Sequence, residues 1–157
     1  MYRIGFGYDS HRFAEGRKLM LGGVQVEYNR GLLGHSDGDV LLHATADALL
    51  GAAGHGDIGM HFPDTDERYR NIDSGIIISE VVAIINEKGY RIINIDCTVI
   101  AEQPKLAPYY EKMKVRISQL LNMKDEQVNV KAKTNEGMGF VGHGEGIACF
   151  AIALLEK

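Results

Sequence analysis

Hydrophobic residues recur along the chain with two spacings, one typical of strands and one typical of helices. Short apolar or alternating runs bounded by glycine and polar clusters predict strands. The segments of this kind are 2–9, Leu19–Leu21, Val24–Tyr28, Arg91–Ala101, Val128–Lys133 and Gly146–Leu155. Gly22 and Gly23 separate the second and third of these segments and predict a hairpin turn.

Three longer segments carry apolar residues at helical spacing. The helices they predict are Val40–Ala53, a second from about Ser74 to Lys88, and a third that Pro108 opens. Asp37 or Asp39 can cap the first helix, because either carboxylate can accept from the N–H groups of its first turn. Gly54–Asp73 is rich in glycine, histidine, proline and aspartate and predicts a loop.

The alternation of strands and helices predicts an α+β fold in one domain over residues 1–157. We expect a single mixed β-sheet with helices packed on one face. The last strand is apolar almost throughout, which is typical of a strand buried on both faces. The face of the sheet away from the helices therefore needs a cover, and a symmetric partner is the natural one.

Composition is ordinary for a globular protein, with 45% hydrophobic residues, 24% charged residues and a net charge of −4. No block of Lys and Arg is present, which excludes a nucleic-acid partner. Neither a signal peptide nor an apolar run long enough to span a membrane is seen, so we expect a cytoplasmic protein without membrane partners. Cys97 and Cys149 lie in apolar runs, and we interpret both as buried small hydrophobic residues.

Asp9 and His11 form the first candidate site, at the end of the first predicted strand. Side chains alternate along a strand, so these two point the same way, about 7 Å apart along the chain. One carboxylate and imidazoles suit zinc with a fourth position open for substrate. A solvated strand end explains the same pattern.

Asp39, His43 and Asp47 recur every four residues and form a polar stripe on an otherwise apolar helix. His43 can complete a metal site with Asp9 and His11, and Asp47 can orient an imidazole as a hydrogen-bond acceptor. Spacing alone supports equally well a stripe that faces solvent.

Polar residues also cluster in two loops and after two strands. His55–Gly59 and Phe62–Asp66 suit hydroxyl binding but equally an ordinary turn. Ala101–Leu106 and Lys131–Gly137 bring hydroxyl, amide, amine and carboxylate groups to strand ends, where a diphosphate and Mg²⁺ can bind. Spacing thus favours a metal-assisted phosphate enzyme, and leaves open a small-molecule binding module or a structural oligomer.

Longer motifs resemble the 2-C-methyl-D-erythritol 2,4-cyclodiphosphate synthase family of the non-mevalonate isoprenoid pathway. The matching motifs are Gly7-Tyr8-Asp9-Ser10-His11, 31–40, Asp57-Ile58-Gly59, 62–66, Ala101-Glu102-Gln103-Pro104-Lys105, Lys133-Thr134-Asn135-Glu136 and 144–148. They follow one another in the family's order along the whole chain. The resemblance implies a homotrimer with its active sites at the subunit interfaces.

The resemblance also implies two metal ions and their ligands. Zinc, or a similar divalent transition metal, would be held by Asp9, His11 and His43. Mg²⁺ or Mn²⁺ would be held by Glu136 together with phosphate oxygens of the substrate. These four residues and Thr134 form the catalytic set that the resemblance implies.

The implied substrate contacts come from four parts of the chain. Asp57, Gly59 and Asp64 would hold the methylerythritol, and His35 and Ser36 would lie on a mobile flap. The cytosine pocket would be formed by Ala101, Pro104, Lys105 and Leu106. Thr134 would contact the diphosphate, and Phe62 and Lys133 complete the implied set.

The implied reaction converts 4-diphosphocytidyl-2-C-methyl-D-erythritol 2-phosphate to the 2,4-cyclodiphosphate, with release of CMP. The 2-phosphate would attack the β-phosphorus in line. Two alternatives are a metal-dependent phosphodiesterase that uses water on a nucleotide diphosphate, and a nucleotide-binding trimer without turnover. An intact set of Asp9, His11, His43 and Glu136 argues against the second.

Two departures from the family pattern are visible. Lys133 and Asn135 flank Thr134 where many members have threonine. His143 stands where many members have an arginine, which in some helps to hold an isoprenoid diphosphate on the three-fold axis. We expect weaker anion binding there at pH 8 than in arginine-bearing relatives, or a cavity that holds only water.

Overall fold

The fold of residues 1–157 is described from a computed structural model. Its centre is a five-stranded mixed sheet with strand order β4-β1-β7-β5-β6, beside a separate β2-β3 hairpin. The strands are β1 (Tyr2–Ala14), β2 (Leu19–Leu21), β3 (Val24–Val26), β4 (Gly31–Leu32), β5 (Arg91–Ile100), β6 (Val128–Lys133) and β7 (Gly146–Glu156). The helices are α1 (Val40–Ala53), α2 (Ile58–His61), α3 (Ser74–Glu87), α4 (Tyr110–Leu120) and α5 (Gly139–Gly142). The predicted α+β class and mixed sheet are therefore confirmed.

The strand register brings the polar strand ends to one level of the sheet. Ser10 of β1 and Ile100 of β5 are both paired with Ala148 of β7, one on each side. Lys133 of β6 is in turn paired with Ile100. The candidate residues around Asp9 and those after β5 and β6 therefore lie at the same end of the sheet.

Helix α1 packs against β1 at unusually short range. A Cβ atom on Gly7 would lie 1.9 Å from the carbonyl oxygen of Ala44, and one on Gly5 would lie 1.8 Å from that of Ala48. No side chain fits in so small a space, so glycine is required at both strand positions. This close approach brings the side chains of α1 within hydrogen-bond distance of β1.

The opposite face of β1 and β7 is apolar and open to solvent in the single chain. Ile4 is 74% exposed and Phe6 is 62% exposed. The Phe150 ring of β7 lies 5.1 Å from the ring of Tyr8 and adds to this face. The helices cover only one face of the sheet, as predicted, and the cover expected on the other face stays a prediction. A contiguous apolar surface of this kind is typical of an interface.

Several predicted boundaries need correction. β1 runs five residues beyond Asp9, because β7 continues to pair with it as far as Arg12. The hairpin strand β3 ends at Val26, two residues early. The predicted loop Gly54–Asp73 contains α2 and a 3₁₀ turn at Glu67–Tyr69. The longest helices, α1 and α3, have 14 residues, and none of the helices combines the length and hydrophobicity of a membrane span.

Both cysteines are buried, as predicted, and we expect them to be unreactive in the folded protein. Burial raises the pKa of Cys97 to about 12 and raises that of Cys149 well above the ordinary value for a thiol. Since the thiolate is the reactive form, a disulfide-exchange reagent at pH 8 should label neither thiol. The same reagent should label both thiols in denaturant, and rapid labelling of the native protein would contradict the burial.

Candidate functional site

Asp9, His11 and His43 meet between β1 and α1. The Asp9 Oδ2 atom lies 2.9 Å from His11 Nε2 and 3.0 Å from His43 Nδ1. The two imidazole nitrogens are 3.2 Å apart. All three potential ligand atoms lie within 4.8 Å of one another. The structure thus brings together the three residues that the strand and helix spacings grouped as a metal site.

The environment of His11 fixes which of its nitrogens faces the cluster. His11 Nδ1 lies 2.7 Å from the carbonyl oxygen of Leu33. A carbonyl oxygen can only accept a hydrogen bond, so Nδ1 carries the proton in the neutral ring. The lone pair of Nε2 is then directed at Asp9 and His43, where a metal ion would bind.

His43 is oriented by Ser74, at the first turn of α3. The Ser74 hydroxyl donates to Asp37 Oδ1 at 2.5 Å, and His43 Nε2 lies 2.9 Å from the same hydroxyl oxygen. Because the Ser74 hydroxyl proton points at Asp37, the hydroxyl oxygen accepts from the Nε2–H of His43, which leaves the Nδ1 lone pair facing the cluster. The Ser36 hydroxyl lies 3.1 Å from the same Nε2 atom.

The prediction that Asp47 orients an imidazole is wrong. Its Oδ1 atom accepts instead from the backbone N–H of Ile58, at 2.7 Å. Asp47 lies one helical turn beyond His43, so its side chain reaches the start of α2. Asp39 is fully buried, which also rules out a solvated stripe. Its carboxylate caps α1 and accepts from the N–H groups of Gly22 and Gly23 in the hairpin turn.

The charges in the cluster favour a cation at its centre. Burial raises the pKa of Asp9, but the hydrogen bonds with His11 and His43 outweigh it and hold the pKa at about 2. Burial lowers the pKa of His11, but the hydrogen bond and charge of Asp9 outweigh it and raise the pKa. A carboxylate and two oriented imidazoles are a donor set that suits zinc or a similar metal, with one position open.

A cavity of about 480 Å³ opens at this cluster. Its lining residues are Asp9, His11, Gly34, His35, Ser36, His43, Ile58, Gly59, Phe62, Pro63, Asp64, Tyr69 and Ile77. The Phe62 and Tyr69 rings meet edge to face, with centroids 5.3 Å apart, and form an apolar wall. Asp57 lies outside this lining, and its Oδ1 atom caps α2 by accepting from Met60 N at 2.9 Å.

The segment that carries His35 and Ser36 is tied to the loop before α3. The backbone N–H of Asn71 donates to the His35 carbonyl at 2.7 Å, and that of Asp37 donates to the Ile72 carbonyl at 3.0 Å. The His35 ring donates through Nε2 to the Asp66 carbonyl at 2.9 Å. The wall of the cavity is therefore built from two loops that hold each other.

A second group of expected site residues lies apart from this cavity. The group comprises Ala101, Pro104, Lys105, Leu106, Lys133, Thr134 and Glu136, none of which lines it. These residues follow β5 and β6, and three strand spacings, about 14 Å, separate β6 from β1. Thr134 Oγ1 donates to Glu136 Oε1 at 3.2 Å, so the hydroxyl and carboxylate expected to meet the diphosphate and Mg²⁺ are adjacent. In a single chain the two groups of expected site residues are therefore separate.

The role of Ser74 gives a prediction about metal affinity. Ser74→Ala removes the acceptor for His43 Nε2–H, so the imidazole is no longer held with Nδ1 toward the metal. We expect zinc to bind about 10- to 100-fold more weakly, measured by competition with a chelator. Ser79→Ala is the matched control, because its hydroxyl bonds only to the Gly75 carbonyl of the same helix. Equal zinc affinity in Ser74→Ala and the control would mean that Ser74 does not orient the ligand.

Sequence comparison places relatives along the full length of the chain. Residues 2–156 match the YgbB family. The 2-C-methyl-D-erythritol 2,4-cyclodiphosphate synthase of Geobacillus kaustophilus (strain HTA426) is 57% identical over 157 residues, covering 100% of this chain and 99% of that one. The protein of the same name from Azotobacter vinelandii (strain DJ / ATCC BAA-1303) is 58% identical over 153 residues and covers 98% of each chain.

Solved structures share the fold as well. The bifunctional IspDF from Campylobacter jejuni superposes with a TM-score of 0.95 at 42% identity, over 99% of this chain and 42% of that larger one. A 2C-methyl-D-erythritol-2,4-cyclodiphosphate synthase with CDP bound gives a TM-score of 0.90 at 36% identity, over 98% of this chain and 100% of that one. The chain therefore belongs to the YgbB family, as its motifs, its fold and its full-length relatives agree.

Proposed function

We propose that this protein is a lyase that converts 4-diphosphocytidyl-2-C-methyl-D-erythritol 2-phosphate to 2-C-methyl-D-erythritol 2,4-cyclodiphosphate and releases CMP. The observation that carries the proposal is the convergence of Asp9, His11 and His43 at the wall of a cavity. This convergence occurs in a chain with full-length relatives named for that reaction. The donor set suits the metal that such phosphate chemistry uses.

The proposed reaction needs no nucleophile from the protein. An oxygen of the 2-phosphate attacks the β-phosphorus, the bond from that phosphorus to the oxygen bridging it to the α-phosphorus breaks, and CMP leaves with the electron pair. Catalysis then rests on holding the two phosphates in line and on neutralising their charge. A divalent ion at Asp9, His11 and His43 would supply Lewis-acid polarisation of a phosphate oxygen. A reaction without a protein nucleophile agrees with the burial of both cysteines, which removes their thiols as nucleophiles.

Residues that line the cavity, and Asp57 beside it, would bind the methylerythritol phosphate. We assign the hydroxyl groups to Asp57, Gly59 and Asp64, and the phosphate beside the metal to the segment of His35 and Ser36. Phe62 lies on the apolar side of the cavity, against Tyr69, where it excludes water from the reacting phosphates. Exclusion of water favours ring closure over hydrolysis.

The second half-site would bind the cytidine diphosphate. Ala101, Pro104, Lys105 and Leu106 would surround the cytosine, as the resemblance implies. Lys133 and Thr134 would contact the diphosphate, and Glu136 would hold Mg²⁺ or Mn²⁺ against two phosphates. Solved relatives with CDP bound support a nucleotide ligand of this class. The exposed lysine, hydroxyl and carboxylate groups at these strand ends suit the same ligand.

A homotrimer with shared sites would join the two half-sites. In one chain the metal cluster and the nucleotide half-site are separate, and the apolar face of β1 and β7 lacks a cover. A heterologous contact that closes into a ring places the cavity of one chain against the nucleotide half-site of the next. The same contact would bury the open apolar face.

Phosphorus NMR of the turnover mixture tests the proposed reaction. The purified protein, zinc, Mg²⁺ and the diphosphocytidyl substrate should give CMP and a cyclic product with two coupled phosphorus signals. Linear phosphate monoesters with CMP would instead identify a phosphodiesterase that uses water. Binding of CDP without any turnover would identify a nucleotide-binding protein and overturn the proposal.

A further inference from the structure

The side chain of Glu102 joins the loop after β5 to the turn after β6. Its Oε1 atom accepts a hydrogen bond from the backbone N–H of Asn135 at 2.6 Å and a longer one from that of Gly137 at 3.4 Å. Glu102 is half-buried and forms no ion pair with any lysine or arginine. The Glu102 carboxylate therefore forms its hydrogen bonds with the backbone of this one turn.

The turn that receives Glu102 has an uncommon backbone. Glu136 has a φ of 53° and Gly137 a φ of 75°, so two successive residues lie in the left-handed region. The N–H groups of Asn135 and Gly137, on either side of Glu136, point to one side and form a concave anion site. The Glu102 carboxylate occupies that site and supplies the negative charge that favours this conformation.

The opposite side of the turn is held by direct backbone packing. A Cβ atom on Gly142 of α5 would lie 2.2 Å from the carbonyl carbon of Gly137. The backbone N–H of Met138 also closes the turn by donating to the Asn135 carbonyl at 3.0 Å. Glu102 therefore holds the backbone from which the Glu136 side chain extends, and the Thr134 hydroxyl contacts the Glu136 carboxylate itself.

We propose that Glu102 is a positioning residue that couples the nucleobase loop to the Mg²⁺-binding turn. It lies between Ala101 and Pro104 in sequence, so ordering of that loop by a nucleobase would act on the turn through this carboxylate, beside the backbone hydrogen bond from Ala101 to Lys133. The inference rests on the proposed function, in which Glu136 holds Mg²⁺ and the loop holds cytosine. Mg²⁺ would also touch the diphosphate directly, and the consequence of the inference is that most of the mutual strengthening of Mg²⁺ and nucleotide binding depends on Glu102 holding the turn.

The coupling can be measured by calorimetric titration of the zinc-loaded protein with CDP, with and without Mg²⁺. In the unmodified protein we expect Mg²⁺ to tighten CDP binding about tenfold, which is typical of coupling between two sites. Glu102→Ala should reduce this enhancement to less than about threefold, because the turn no longer holds Glu136. Glu102→Gln should keep most of it, since the amide oxygen can accept the same two N–H groups.

The controls separate positioning from general loss of structure. Glu111→Ala removes an exposed carboxylate on α4 and should leave the enhancement unchanged. Zinc content and melting temperature should be unchanged in Glu102→Ala. If that variant does not fold, Glu102→Asp replaces it, since the carboxylate is retained but is one methylene too short to reach Asn135.

Two results would overturn the inference. One is an unchanged Mg²⁺ enhancement in Glu102→Ala or Glu102→Asp. The other is a parallel loss of zinc and of CDP binding without Mg²⁺, which would identify a role in the fold only. Failure of the unmodified protein to bind CDP under any condition would refute the proposed function itself, and with it the role of Glu102.

Discussion

Replacement of His43 by alanine is expected to lower turnover about a thousandfold and to leave the fold intact. A metal that polarises a phosphate oxygen contributes several kcal/mol of transition-state stabilisation, and about 4 kcal/mol corresponds to a thousandfold change in rate. The side chain of His43 lies within hydrogen-bond distance of Asp9, His11, Ser36 and Ser74. Helix α1 is held by its apolar residues, so its packing against the sheet should persist.

Zinc content, turnover and melting temperature of the purified variant test this prediction together. We expect zinc in His43→Ala to fall below about a tenth of one ion per chain, because two ligands hold zinc poorly. His55→Ala is the control, since His55 is only half-buried and lies outside the cluster. Full turnover in His43→Ala, or active wild-type protein without a bound transition metal, would contradict the assignment.

Asp39→Ala is expected to destabilise the protein by about 3–5 kcal/mol, the largest stability effect we predict. The buried carboxylate accepts from the N–H groups of Gly22, Gly23 and Leu42, at 2.9, 2.7 and 3.0 Å. Alanine leaves two buried donors and the partly buried Gly23 N–H without a partner, and each buried donor costs about 1–3 kcal/mol. Asp39 also joins the β2-β3 hairpin to the start of α1, so both elements lose their anchor.

Comparison with Asp73→Ala separates this anchor from an ordinary helix cap. Asp73 caps α3 from an exposed position and accepts from a single N–H group, that of Gly75. Asp73→Ala should lower the free energy of unfolding by about 1 kcal/mol. The free energy of unfolding of both variants should be measured in denaturant at one protein concentration. An equal loss of unfolding free energy in the two variants would contradict the anchoring role of Asp39. The loss of unfolding free energy in Asp39→Asn should lie between those of the two alanine variants, because its NH₂ group faces the N–H of Gly23 and two donors cannot bond.

The stability that Asp39 provides should also depend on pH. Burial, and then the charge of Asp37, raise the pKa of Asp39 to about 6, although three N–H donors oppose the shift. An unfolded chain has an aspartate pKa of about 3.9. The folded state thus holds the proton more tightly, so the stabilisation linked to that proton is full below about pH 4 and is lost as the pH rises through about 6, while the three hydrogen bonds to the carboxylate remain. The difference in unfolding free energy between wild type and Asp39→Ala should narrow over that interval.

The elements that sequence predicted well are those with local signals at both ends. The bounds of α1 were predicted residue for residue, because Asp39 caps its start and Gly54 ends it with a φ of 70°. The last five residues of β1 have no such signal. They remain extended because β7 and β4 pair with them, and those strands lie far away in sequence.

The metal cluster was predictable because two regular spacings converge on it. Asp9 and His11 share a strand face, and His43 lies on the polar stripe of the helix that packs there. Ser74 was missed because it lies 31 residues from His43 and contacts it only through the packing of α3. Its position directly after the cap residue Asp73 was the only local sign that its side chain is held at a helix start.

The most direct test of the shared active site is the activity of trimers assembled from two different inactive chains. We expect His43→Ala to inactivate the proposed metal half-site and Glu136→Gln to inactivate the proposed nucleotide half-site. If each site takes its halves from different chains, co-assembly of the two variants in equal amounts should restore about a quarter of wild-type activity. Co-assembly of His43→Ala with Asp9→Asn is the matched control and should restore none, because both changes damage the same half-site. Activity in the first mixture no higher than in this control would contradict the account.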